Sequence, residues 1–284
     1  MIHSMHLAEK IPKADYPNIR LFKVGRKTAP VEQEDVKGNW QACTPQSVEG
    51  FSAVGYHFGQ RLFASLDVPV GLIQSAWGGT EIEPWTHGPA FEGLASLKDI
   101  AELVGKLTPQ ARAGSGTPTG IYNGMIHGLA PYSLRGAIWY QGESNAGRGE
   151  DPRDYRYKQQ AMIHGWRKAW NRAKAPFWYV QLPAYKDESR GWIRLREEQR
   201  LALALNAHTG MAVTIDLRDT DIHPSNKLDV GHRLARWPLA QVYGRSIAVS
   251  GPLFKEASIE GNAIRVYFSH LAGGLITAAK TGLE

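Results

Sequence analysis

The chain has 284 residues, 43% hydrophobic and 21% charged, enough to bury a sizeable core and most simply one α/β domain or one domain with a small appendage. Lys and Arg outnumber Asp and Glu by 33 to 27, a net charge of +6 that is dispersed rather than blocked. Cys43 is the only cysteine, which excludes a disulfide framework and a cysteine-based zinc site.

The N-terminal residues Met1 to His6 lack the cationic-then-apolar layout of a signal peptide, and no stretch approaches the roughly 18 to 20 unbroken apolar residues of a membrane span. The chain as written is therefore expected to be neither exported nor membrane-anchored. It assigns no compartment, because a segment ahead of Met1 would carry such a signal.

Short apolar runs alternate with amphipathic stretches of helical period, the pattern of βαβ units around a parallel sheet. A first strand is predicted at Ile19 to Val24. Val48, Phe51, Val54, Phe58, Leu62 and Leu66 fall three or four apart and mark the buried stripe of one helix. Strands follow at Val70 to Ala76 and Gly136 to Tyr140, then a helix from Tyr155 to Trp170. A strand at Phe177 to Gln181, a helix from Ile193 to Leu205, a strand at Met211 to Asp216 and a helix from Lys227 to Val242 complete the pattern. After Ser250 only Ala263 to Phe268 reads as a strand. The predicted division is an α/β domain over residues 1–250 and a β-containing tail over 251–284.

The densest basic cluster, Arg167, Lys168, Arg172 and Lys174, ends the predicted helix that carries Trp166 and Trp170. Cations there complement the helix dipole and are expected to remain solvated. No RNA- or DNA-binding motif accompanies them, so no nucleic-acid partner is expected.

In an open parallel sheet ligands collect at the carboxyl ends of the strands. Four such loops are rich in polar and aromatic residues: Trp77-Gly78-Gly79-Thr80, Gln141-Gly142-Glu143-Ser144-Asn145, Leu182-Pro183-Ala184-Tyr185 and Asp219-Thr220-Asp221-Ile222-His223-Pro224. His223, with Asp216, Asp219 and Asp221 upstream, is the best candidate for a general base, since a base needs a pKa near neutral and a carboxylate to fix its tautomer. The bland alternative is a surface histidine beside a helix N-terminus. The other nine histidines show no comparable setting in the sequence; His127 and His164 fall in helical patterns.

Adjacent glycines at 78 and 79 let backbone N–H groups approach a ligand oxygen, or simply make a tight turn. Asn145 offers a side-chain amide to an oxyanion, or forms a turn. Trp77, Trp85, Trp139 and Tyr185 are able to line a sugar site by stacking, or to fill a core. Phosphate-loop, dinucleotide, zinc-protease and Gly-x-Ser-x-Gly signatures are absent.

The blocks Ala137-Ile138-Trp139-Tyr140-Gln141-Gly142-Glu143-Ser144-Asn145, Ser75-Ala76-Trp77-Gly78-Gly79-Thr80 and Ile222-His223-Pro224-Ser225-Asn226-Lys227 resemble the sialate O-acetylesterase family, a branch of the SGNH hydrolases. Further matches run almost end to end, at Tyr16 to Phe22, Phe51 to Val54, Tyr122 to Ile126 and Leu195 to Gln199. The resemblance implies a three-layer α/β/α sandwich with a mainly parallel, flavodoxin-like sheet. It also implies serine-esterase removal of acetyl groups from sialic acid or other acetylated sugars, with no metal and no organic cofactor. By it, His223 is the base, Gly78, Gly79 and Asn145 are oxyanion donors, and Gln141, Glu143, Trp77 and Tyr185 shape the substrate site.

Two departures follow. The family's nucleophile sits in a Gly-Gln-Ser-Asn-Met block at the end of a first strand, upstream of the Tyr16 to Phe22 segment. This chain is expected to lack that block and that strand, leaving neighbouring strands with unpaired edges and Ser4 as the only serine before Tyr16. The family's triad aspartate usually stands three residues before the histidine, where this chain has Thr220; Asp221, two residues before, is the candidate acid. The competing readings are a noncatalytic sugar-binding homologue, and an acetyl xylan or general short-acyl esterase on the same fold.

Overall fold

The structure, a computed structural model, describes residues 9, 11–147, 151–184, 189–217, 219, 221–271 and 274–275. Strand β1 (Tyr16–Lys23) pairs antiparallel with β2 (Trp40–Cys43) and parallel with β3 (Val70–Gln74). A second sheet runs β4 (Ala137–Trp139), β5 (Phe177–Val180), β6 (Thr209–Ala212), all parallel. The hairpin β7 (Leu253–Glu260) and β8 (Ala263–Ser269) stands apart and is largely exposed.

All four residues of β5 are buried, as an interior parallel strand requires. Successive side chains of a strand point to opposite faces, and here they enter two different cores. Trp178, Val180 and Ala212 join the core closed by α2 (Ala53–Leu66) and α7 (Lys227–Gln241). Phe177, Tyr179 and Met211 join the core closed by α5 (Tyr155–Ala169) and α6 (Arg190–Leu205). The protein is thus an α/β structure with helices against both faces of short parallel strands. Among the described residues no helix is long and apolar enough to cross a membrane.

Several elements depart from the sequence expectation, each for a local reason. The stripe from Val48 to Leu66 is two helices, α1 (Pro45–Glu49) and α2. Thr44 and Ser47 form a capping box on α1, while the Ser52 hydroxyl accepts from the Gly55 N–H at 3.1 Å and starts α2 anew; both caps satisfy N–H groups that a continuous helix would have no need to expose. The strand expected to reach Asp216 ends at Ala212, because a turn closes from Leu217 N–H to Thr214 C=O and the Thr214 hydroxyl donates to Gln181 C=O at 2.6 Å. Strands β2 and β7 carry no alternation strong enough to have been anticipated.

The basic cluster also differs. Arg167 is buried, donating to the carbonyls of Ala175 and Ala207 at 2.9 and 2.7 Å; it ties the end of α5 to the loops before β5 and β6 instead of remaining solvated.

The expected continuous sheet is two three-stranded sheets among the described residues. The outer edges of β3 and β4 face each other across a cavity of about 810 Å³. Direct pairing needs strands about 4.8 Å apart, and this gap separates them.

Candidate active site

Three of the four expected loops converge at the carboxyl ends of the strands. The loop after β3 turns at Gly79, whose φ of +74° lies in the left-handed region that favours glycine; the Thr80 hydroxyl closes the turn by donating to Trp77 C=O at 2.7 Å. Gly78 and Gly79 are exposed, and nothing lies within 4 Å of where a β-carbon would sit on either. Their backbones therefore face open space. Trp77 is half-buried and carries the Arg26 guanidinium over its ring at 5.4 Å.

The loop after β4 begins at Gly142, with φ of +151°. A β-carbon there would stand 2.6 Å from Leu195 Cδ2, so only glycine fits this turn into the short helix α4 (Glu143–Gly147). Gln141 is buried and fully engaged: its Nε2 donates to Asn145 Oδ1 at 2.7 Å and Thr80 C=O at 3.2 Å, and its Oε1 accepts from the Tyr155 hydroxyl at 2.8 Å. Asn145, 2% exposed, accepts on Oδ1 also from Ile82 N–H at 3.0 Å and donates from Nδ2 to Glu83 Oε2 at 3.1 Å. These two amides lock the two loops together.

Beneath them lies an ion cluster that no motif announced. Lys158 of α5, 6% exposed, places Nζ 2.7 Å from Glu83 Oε1 and 3.1 Å from Asp154 Oδ2. Burial opposes its charge, but the two carboxylates outweigh it and hold the ammonium above its usual range. Burial pushes the Asp154 carboxyl up, partly offset by Lys158. Gln199 of α6 adds a second brace, donating to Gln141 C=O at 3.1 Å and accepting from Leu182 N–H at 2.8 Å. Only spacing hinted at these roles: Asp154, at the N-cap of α5, and Lys158 are four apart, whereas Glu83 and Gln199 meet their partners across long stretches of chain.

The fourth loop carries His223. Its Nδ1 lies 3.1 Å from Asp221 Oδ1, which also accepts the His223 backbone N–H at 2.8 Å; both side chains are more than half exposed. The two-residue offset does bring this carboxylate to the ring. Asp219 instead accepts from the backbone and hydroxyl of Ser225 at 3.0 and 3.1 Å. Glu143 links this loop to the others: burial raises its carboxyl pKa, opposed by its own backbone N–H and by the fields of His223 and Lys227. Lys227 is partly buried with Nζ 5.2 Å from the centre of the Tyr140 ring, and burial lowers its pKa against Glu143, Asp219 and Asp221. Lys227 belongs to a block the sequence singled out, without a role assigned to it.

Ser4, Tyr185 and Thr220 lie outside the described residues. Trp85 and Trp139 are core residues, packed edge to face at 5.7 Å. Among the histidines, His87 and His127 do have a carboxylate partner, Glu32, at 3.1 and 3.2 Å; the long sequence separation of these three residues hid it. Among the described residues no group of three or more His, Cys, Asp or Glu side chains is arranged to hold a metal ion.

A histidine–aspartate pair, exposed glycine backbone and a buried amide brace at the carboxyl edge of parallel strands define an α/β protein with a candidate hydrolytic site. The sequence profile of the family described as carbohydrate esterase, sialic acid-specific acetylesterase matches residues 9–239, and the chain belongs to that family. It is 32% identical to the sialate O-acetylesterase of Pongo abelii over 269 residues, covering 84% of this chain and 50% of the relative. It is 30% identical to that of Rattus norvegicus over 297 residues, covering 87% and 54%. The chain thus spans about half the length of these curated relatives. The crystal structure of a carbohydrate acetylesterase from Xanthomonas citri superposes with a TM-score of 0.81 at 37% identity, over 94% of this chain and 59% of that one.

Proposed function

We propose that this protein is a carbohydrate O-acetylesterase that hydrolyses acetyl esters on sialic acid or other acetylated sugars by serine chemistry, within an SGNH-type three-layer sandwich formed by residues 1–250 and followed by an appendage over 251–284. The observation that carries the reading is the Asp221–His223 pair, whose histidine acts on the carboxyl of Glu143. With its Nδ1 proton donated to Asp221, His223 presents Nε2 as the proton acceptor.

In the first half-reaction a serine Oγ attacks the acetyl carbonyl carbon while His223 Nε2 takes the hydroxyl proton. The negative charge gathers on the former carbonyl oxygen, where the Gly78 and Gly79 N–H groups and the second hydrogen of Asn145 Nδ2 are the proposed donors. The C–O bond to the sugar then breaks, and His223 returns its proton to the sugar oxygen. Water, deprotonated by His223, hydrolyses the acetyl-enzyme to acetate and free serine. Ser4 is the proposed nucleophile within this chain. Gln141, Glu143, Trp77 and Tyr185 are proposed to shape the sugar site, the first by holding the loops.

The test is labelling with a serine-reactive fluorophosphonate, with intact mass and peptide mapping, alongside acetate release from an aryl acetate, acetylated xylan and 9-O-acetyl sialic acid. A single adduct lost in His223→Ala, with turnover of an acetylated sugar, supports the assignment. Turnover of the aryl acetate alone removes the sugar substrate, and neither adduct nor acetate from folded protein removes the enzyme.

A further inference from the structure

Arg26 and Lys227 both stand at the carboxyl edge of the strands, and the hydrolysis outlined above uses neither. Lys227 lines one continuous cavity with Trp77, Gly78 and Gln141, but Glu143, Asp219 and Asp221 all act on its ammonium and offset its charge. Arg26 is placed differently. It is exposed, its guanidinium lies 5.4 Å from the centre of the Trp77 ring, and among the described residues no ion pair or side-chain hydrogen bond engages it. Of the acids in its own loop, Glu32 faces His87 and His127 at 3.1 and 3.2 Å, and Asp35 accepts the Val36 N–H at 2.7 Å.

The sheet fixes where this cation sits. Strands β1 and β3 run parallel with Lys23 opposite Gln74. Arg26 and Trp77 follow at equal distances along the chain from that pair, so the register brings them level just beyond the strand ends. The backbone under the arginine is held on both sides. Val24 N–H donates to Gln74 C=O at 2.9 Å, Gly25 N–H to Lys37 C=O at 2.7 Å and Ala29 N–H to Gly120 C=O at 2.9 Å, while the Thr28 hydroxyl donates to Ala113 C=O at 2.8 Å. Because the guanidinium covers one face of the indole, this loop presents charge there instead of an apolar stacking surface. The exposed Gly78 and Gly79 follow directly after Trp77.

We propose that Arg26 is a specificity-determining residue that pairs with a carboxylate of the acetylated sugar, so that the site selects acidic sugars over neutral ones. The proposal rests on the acetylesterase reading for the sugar itself. The planar guanidinium keeps its donor edge available while its face rests on the indole, and that edge matches the two oxygens of a carboxylate. A fixed backbone and a stacked head leave less rotamer freedom to be lost on binding. The charge pattern also orients the sugar. Glu143, Asp219 and Asp221 gather around Lys227 and repel a carboxylate from that part of the site, whereas the unpaired cation on the Trp77 loop attracts it.

The experiment is NMR titration of the full chain, read on the tryptophan indole signals, with N-acetylneuraminic acid against its carboxamide and with glucuronic acid against glucuronamide. Each pair differs only in the charge of one group. The expected result is that the wild-type chain binds at least one acid about tenfold more tightly than its amide, a preference that shrinks as salt is raised. In Arg26→Gln the acid-to-amide ratio falls toward one, and Arg26→Lys, which keeps the charge without the fork, retains part of it. The pair that shows the preference identifies the acid as a sialic or a uronic acid. A wild-type chain with no preference overturns the proposal. So does an equal weakening of acid and amide in Arg26→Gln, which would make the arginine a prop for the Trp77 loop. A preference kept in Arg26→Gln and lost in Lys227→Gln would move the role to Lys227 and overturn it as well. Acetate release enters none of these ratios. An Arg26-dependent preference without turnover therefore removes the esterase reading alone, and turnover without the preference removes this proposal alone.

Discussion

Replacing Lys158 by methionine tests the ion cluster that underlies both site loops. The Lys158 ammonium sits 2.7 Å from Glu83 Oε1, and Glu83 is itself only 8% exposed. Methionine fills the same space without the charge, leaving the Glu83 carboxylate the Asn145 amide as a neutral donor at 3.1 Å. Breaking a buried pair on one side costs about 3–5 kcal/mol, a large share of a total stability of about 5–15 kcal/mol. Urea unfolding followed by tryptophan fluorescence reads this as a lowered midpoint. Adding Glu83→Gln to the variant removes the orphaned charge and restores much of the stability, so the two changes are strongly non-additive. A loss under about 1 kcal/mol, or additive effects in the double variant, would refute the account of Glu83 and Lys158 as the anchor of the site.

His223→Ala is expected to abolish acetate release, and Asp221→Asn to lower it less, because that pair is exposed and solvent-screened; equal losses would show that Asp221 is as indispensable as the base. Asn145→Ala should lower kcat by about 100- to 1,000-fold if its amide meets the oxyanion, and an unchanged kcat in a folded variant would leave it a brace alone. Gly142→Ala combines a left-handed φ with a contact of 2.6 Å to Leu195; a loss of about 1–3 kcal/mol is expected, and unchanged thermal stability would contradict the close approach. Burial, with Asp15 adding to it, pushes the Cys43 thiol from 9.0 up to about 11. Between those values the unfolded chain releases the proton and the folded chain keeps it, so stability falls as pH rises, by about 1.4 kcal/mol per unit from this one group. Urea midpoints measured across that range should decline less steeply in Cys43→Ala, and identical slopes would contradict the shift.

The clearest sequence signals were the local ones. Apolar period placed β1, β3, β5 and helices α2, α5, α6 and α7 within a few residues, because burial on one face is written into spacing. The polar loops after the strands were legible for the same reason: in a parallel sheet they are the places where the chain leaves the core. The Gln-Gly-Glu-Ser-Asn and Ile-His-Pro blocks pointed to the family that residues 9–239 match. Even the split of the stripe at Gly50 and Ser52 had a written cue, a serine able to cap a helix.

What only the tertiary structure decided is which partner each polar group takes. Asn145 read as an oxyanion donor or as a turn residue, and Gln141 as a residue shaping the substrate site; their partners, Thr80, Ile82 and Glu83, lie some 60 residues away in the chain. Lys158 carries no motif, and its role appears only when Glu83 is brought to it from another loop. The resemblance implied unpaired strand edges, but not where: the cavity between β3 and β4 is made by the mutual placement of two sheets whose strands come from residues 70–74 and 137–139. Periodicity records whether a residue is buried, whereas hydrogen-bond partners and gaps depend on how distant segments are brought together, and that is settled by packing.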